Sequence, residues 1–338
     1  KVPPRSSFSV QLWARRRSAE FTRYGRLVIG RRALLVTGTF ALAGCTVVNV
    51  TLPWNPPSPL PVEPAPGLPA QLARAAALSR LLLDRAAAWK LDARRVRTLD
   101  WFGSAIDDQA RVLLSKDPAQ LQRVTAPLPS TATPTQNTAA AATAALTALL
   151  RTMQGQHRAR ALRTEGPAAL LWASLAAFNG TMSVRLPSGA AKLGDDTAEL
   201  TPDLTGTGRN QVVALCLQAA YSYESALAAP ALSTNQEHLL QQRLRAWRAL
   251  REQLLTLGSA GQASPPPVGY ELRPATNAAA AFALAVAAES AALPMFGAWL
   301  AGKASVAERT IAVDALASAH TSLVGFGGAA LRWPGWPS

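Results

Sequence analysis

From residue 70 onward, apolar positions recur every three to four residues, the period of a helix with one buried face. The runs are rich in Ala, Leu, Arg and Gln, all strong helix formers, and β-branched clusters of the strand type are scarce. The pattern predicts four helices in the first half, at about 70–90, 93–115, 138–163 and 166–184. It predicts four more in the second half, at about 209–229, 234–258, 275–301 and 305–331. Pro/Thr/Ser-rich residues 126–137 break the first set between its second and third helices, and Gly258 to Pro267 breaks the second set at the same place. The expected class is all-α.

The two halves share a scheme of helical hairpin, Pro-rich crossover and second hairpin. Their last helices align without gaps, Ala173 to Asn179 lying over Asp314 to His320. A long crossover between two helix pairs is the connection used by ferritin-like four-helix bundles. The expected architecture is therefore two tandem bundles, 70–185 and 209–331, joined by a linker at 186–208. An irregular helical array or solenoid is the competing arrangement. The aromatic, Pro-rich tail 332–338 is expected to fold back onto the helices.

Before residue 70 the pattern changes. Residues 1–44 hold nine Lys/Arg and one acid, and end in an apolar run from Ala33 to Gly44. Leu42-Ala43-Gly44-Cys45 reads as a lipoprotein cleavage box, with Cys45 the lipidated residue, and Arg31-Arg32 before the apolar run resembles a twin-arginine export signal. The rival reading is an uncleaved transmembrane anchor, since Ala33 to Leu52 is twenty residues without a charge. Both readings put the bulk of the chain on the extracytoplasmic face of the cell membrane. Eight prolines between Pro53 and Pro69 make 45–69 an extended tether.

The leader also changes the charge argument. The whole chain carries +14, but residues 45–338 hold 25 basic and 19 acidic residues, a net of +6. No dense basic patch with interleaved aromatics appears there, so nucleic acid is not an expected partner. Membrane lipid through Cys45 is expected, and an unidentified protein partner stays open. Cys216, the other cysteine, sits in an apolar stretch and is expected to be a buried small hydrophobe rather than half of a disulfide.

Three side chains are candidates for chemistry. In the seventh helix Glu289 shares a stripe with Phe282, Val286, Leu293 and Phe296. In the fifth, Glu224 lies with Leu217, Tyr221 and Leu227; in the eighth, His320 lies with Val313, Leu316, Leu323 and Val324. Glu224, Glu289 and His320 are thus a candidate metal set, of a single ion at most. A di-metal centre needs Glu-x-x-His motifs, and the chain has none. The other reading is a hydrogen-bonded polar cluster in a bundle core, which needs no cofactor. His157, flanked by Gln156 and Arg158, is expected in solvent. Gly-x-Gly-x-x-Gly, Walker, Cys-x-x-Cys and Gly-x-Ser-x-Gly patterns are absent, so no catalytic residue is assigned.

Ala287-Ala288-Glu289-Ser290-Ala291-Ala292, followed by Ala317-Ser318-Ala319-His320 and a Pro-rich end, resembles an uncharacterised ferritin-like domain family of exported proteins and lipoproteins in high-GC Gram-positive bacteria. The resemblance covers residues 209–338 best, and it departs at Ser290, where the family often has His, and at Pro294 inside the helix. It implies a ferritin-like fold and an exported or anchored protein, with no activity to carry over. The function expected is a non-catalytic binding or scaffold role at the membrane. The alternatives are metal-dependent redox or storage with a reduced ligand set, and a lipoprotein that binds a small ligand.

Overall fold

The computed structural model describes residues 67–115, 124, 127–190, 192–194, 207–257, 274–302 and 304–336. Arg31, Arg32, the 42–45 box with Cys45 and most of the 45–69 tether lie outside these residues, as do parts of both crossovers and of 186–208. The rest is all-α. The helices are α1 Leu68–Asp84, α2 Ala93–Leu113, α3 Ala139–Arg163, α4 Gly166–Arg185, α5 Arg209–Leu227, α6 Thr234–Thr256, α7 Ala278–Ala301 and α8 Val306–Gly325.

Five of these starts are set by side chains that satisfy the free N–H groups of the first turn. Asp92 caps α2, Thr138 caps α3 and Asn277 caps α7. Ser233 with Gln236, and Ser305 with Glu308, form reciprocal capping boxes at α6 and α8. The expected eighth helix overshoots: α8 stops at Gly325, and the apolar residues after it turn away into β2, Ala329–Ala330. That two-residue strand pairs in parallel with β1, Lys192–Leu193, with Lys192 opposite Ala329.

Within each half the same neighbours meet. In the first, α1 packs on α2, α3 on α4 and α1 on α3. The ring closes through side chains, Phe102 of α2 lying nearly parallel to Phe178 of α4 at 5.9 Å, with Trp101 tilted beside it. In the second half, α5 packs on α6, α7 on α8, α5 on α7 and α6 on α8. Deleting a ring such as Phe178 down to Ala would cost about 3–5 kcal/mol.

The halves meet along α4 and α8, flanked by α4 with α7 and α3 with α8. Exchanging the halves reproduces that set of contacts, as a two-fold interface does. Thr181 and Thr321 share a hydrogen bond at 3.0 Å across the seam. Arg309, buried at the start of α8, donates to the Leu162 carbonyl at the end of α3 and to Glu165.

The tail seals this seam. Trp333 Nε1 donates to Asp108 of α2 at 2.8 Å, Gln109 Nε2 donates to the Arg332 carbonyl, and Trp333 and Trp336 are buried. Gly335 (φ +91°) sits against Leu170 of α4 and Leu316 of α8, and its carbonyl lies so close to Gly297 of α7 that a Cβ there would come within 1.7 Å. Among the described residues α7 is the one helix long and apolar enough to cross a bilayer; here it packs against α4, α5 and α8.

Candidate functional site

The polar centre of the second half is Glu289. It faces inward because Ala285, Ala292, Leu293 and Phe296, three to seven residues away on α7, are all buried. The carboxylate is fully enclosed, and an isolated charge in such a place would be strongly disfavoured. Four donors meet it. Tyr223 of α5 donates its hydroxyl to Oε1 at 2.6 Å. Arg243 of α6 forks onto both oxygens, Nε to Oε1 at 2.7 Å and Nη2 to Oε2 at 2.8 Å. Trp247, one turn on, donates Nε1 to Oε1 at 3.0 Å.

Arg243 is itself held in place. Its remaining Nη1 donates to Ser318 of α8 at 2.7 Å, and its guanidinium lies over the Trp247 ring. Trp247 stacks in turn on Phe296. All four helices of this half therefore contribute to one neutral network of a guanidinium and a carboxylate. Burial works against the charge on Arg243, but the bonds and charge of Glu289 outweigh it and raise its pKa further. Burial, followed by the charge of Glu289, pushes the Tyr223 phenol upward, so it stays a donor.

Of the three candidate metal ligands, Glu289 alone joins this centre. Glu224 is a correction: its side chain is 48% exposed and pairs with Arg248 at 2.7 Å. The buried stripe of α5 is Val212, Cys216, Ala219, Tyr223 and Ala226, so the face carrying Leu217, Tyr221 and Glu224 is not the inward one. His320 is buried as expected but looks to the seam. The Leu331 N–H donates to its Nε2 at 3.1 Å, which leaves the proton on Nδ1, facing the Ala177 carbonyl of α4 at 3.4 Å. Burial lowers its pKa to about 4, so it is neutral at pH 7.

His157 is a second correction. It is buried, tilted against Trp172, and accepts from the Asn179 amide at 3.0 Å. Burial first, then the nearby charge of Arg160, lowers its pKa to about 3, opposed by the Leu175 backbone. Cys216 is buried as expected, and burial pushes its thiol up to about 12, which leaves it unreactive.

These residues do not fit a metal. Both Glu289 oxygens already accept from a cation, both His320 nitrogens are engaged, and Glu224 is on the outer face. Among the described residues no group of three His, Cys, Asp or Glu is placed to hold an ion.

One comparison bears on the region that contains this network. Residues 209–338 match a domain of unknown function (DUF4439). The DUF4439 region thus spans α5 to α8 and the tail, and includes every member of the Glu289 network. No curated protein and no solved structure matches the chain.

Arg243 and Tyr223 are the members of the network that the helical pattern passed over; Trp247 falls on the stripe expected to face the core. Arg243 stands three residues after Leu240 and four before Trp247, on the very stripe that enters the core. A buried carboxylate with no second acid or histidine beside it calls for such a cation, and that was the available signal.

Proposed function

We propose that the chain is a non-catalytic lipoprotein with a binding or scaffold role on the extracytoplasmic face of the membrane. In this reading it is built from two diverged ferritin-like bundles. The address rests on Arg31-Arg32 and the Leu42 to Cys45 box. The ferritin-like assignment draws support from the repeated helix order, hairpin, long crossover and hairpin, with first and third helices adjacent in each half.

The observation that carries the non-catalytic reading is the Arg243 fork on Glu289. The positive charge that such a bundle core would take from metal ions is supplied by a side chain. The carboxylate accepts three bonds at Oε1 and one at Oε2, and it is fully enclosed. The tail around Gly335 fills the junction of α4, α7 and α8, which favours a structural seam over a small-ligand pocket between the halves.

One purification tests both parts. Protein extracted from the membranes of its native host should carry a lipid-modified Cys45 at its N-terminus and much less than one iron, manganese or zinc per chain. Stoichiometric metal that disappears in Glu289→Ala would instead establish metal storage or redox chemistry. An unmodified Cys45 within an intact leader would replace the lipid anchor with a transmembrane one.

A further inference from the structure

The first half carries more positive charge than its packing uses. Residues 67–194 hold 16 Lys/Arg and seven acids, whereas residues 195–338 hold nine and 11. Part of the excess gathers where the start of α2, the outer face of α3 and the end of α4 meet. The loop after α4 is tied to α2, Arg94 Nε donating to the Ala190 carbonyl and the Ala190 N–H donating to Thr98, both at 3.0 Å. Arg95 reaches across to donate to Thr143 of α3. Arg151 follows Thr143 by two turns on the same helix, and Arg185 closes α4.

A cavity of about 440 Å³ opens here, lined by Arg95, Thr143, Thr147, Arg151 and Pro187. Two of its lining residues carry buried polar atoms with no hydrogen-bond partner, Arg95 Nε and Thr147 Oγ1; Arg185 Nε, outside the cavity lining and on a side chain that reaches Gly325 at the end of α8, is another such atom. Among the described residues no carboxylate pairs with Arg94, Arg95, Arg151 or Arg185. Arg185 is disfavoured in its charged form by burial and then by the like charge of Arg94. At three other places in the fold an arginine has an acid beside it: Arg309 has Glu165, Arg158 has Asp314 and Arg243 has Glu289.

We propose that this cavity binds a phosphate oxyanion, gripped by Arg95 and Arg151, with Thr147 donating its hydroxyl and Arg94 and Arg185 supplying the surrounding positive field. Guanidinium forks match the oxygens of a tetrahedral phosphate, and unpaired ones make such a cavity attractive to a multivalent anion rather than to chloride. The volume suits a phosphate together with the first atoms of its ester. The phosphate can belong to a free ion or ester in solution, or to the headgroup of an anionic phospholipid. The site stands whether or not Cys45 is lipidated.

The full chain in neutral detergent micelles provides the test, with thermal unfolding as readout and ionic strength held constant with chloride. One arm titrates inorganic phosphate; the other replaces part of the detergent with phosphatidylglycerol. The expected result is a saturable rise in Tm in at least one arm. A rise with inorganic phosphate identifies a free-anion site, and a rise with phosphatidylglycerol alone identifies a headgroup site. Arg151→Gln, at an exposed position without a partner, keeps the fold by circular dichroism and weakens the saturable binding about tenfold, the worth of one charge-assisted bond. Arg74→Gln, on the exposed face of α1, leaves it unchanged. No response in either arm, or the same saturation in Arg151→Gln as in wild type, would overturn the proposal.

Discussion

Glu289→Gln preserves the shape of the network and removes its negative charge. Arg243 would then be a nearly enclosed cation, 11% exposed, bonded only to neutral groups. A loss of about 3–5 kcal/mol is expected in urea unfolding, because breaking one side of a buried pair strands the other. Glu289→Leu combined with Arg243→Met, Tyr223→Phe and Trp247→Phe, which leaves no donor stranded, should recover most of that loss, since well-packed apolar replacements of buried pairs are often neutral. A single variant of wild-type stability would show that the fork carries no charge of consequence. At this scale the sequence is half readable. Glu289 declares itself, an acid among alanines and phenylalanines. Its partner does not, because an arginine between leucines reads as easily as a solvated side chain whose stem covers apolar surface. His157 misleads in the opposite way: Arg158 and Arg160 give its neighbourhood a solvated look, while the spacing from Leu146, Leu150 and Met153 puts it inside.

Elements were the most legible level, and their ends were legible wherever a side chain makes them. Ser233, Asn277 and Ser305 are written into the sequence one residue before α6, α7 and α8 begin. The end of α8 is written only by tertiary packing, as apolar residues continue past Gly325 and are buried by a different route. The phase of α5 is also beyond local reading. Leu217, Tyr221 and Leu227 make as good a stripe as Cys216, Ala219 and Tyr223, and Tyr223 wins because it completes the Glu289 network. The tail invites a direct test. Gly297→Ala places a methyl carbon where the Gly335 carbonyl lies, and two backbones cannot yield to it in place. The tail should lift from α7, seen as a red shift in tryptophan emission and as faster proteolysis after residue 330. Unchanged emission and unchanged cleavage would mean that α7 moves instead.

For the whole molecule the buried histidines set an acid limit. His157 and His320 titrate at about 3 and about 4 in the fold, both below the ordinary value of 6.5. The unfolded chain therefore binds more protons than the folded one as pH falls from about 6.5 toward 4. Stability present above pH 6.5 is lost over that range, by up to about 1.4 kcal/mol per pH unit for each histidine. Chemical denaturation at a series of pH values should show the slope, and His320→Gln should flatten it. A wild-type stability that is level between pH 7 and pH 4.5 would rule out this account.

The short ladder between Lys192–Leu193 and Ala329–Ala330 has a further consequence, for the order in which the protein can be made. Gly194 donates its N–H to the Ala330 carbonyl at 2.8 Å and offers its own carbonyl to Trp101 of α2. The first four helices thus leave the ribosome lacking the strand that their own connection pairs with, and lacking Arg332 for Gln109. Residues 329–332 must arrive before the earliest hairpin has its final partners. Closing so long a loop is entropically costly and slow, and its reward comes all at once. Until residues 329–333 have been made, those partners are missing, and the finished halves should melt in a single cooperative step.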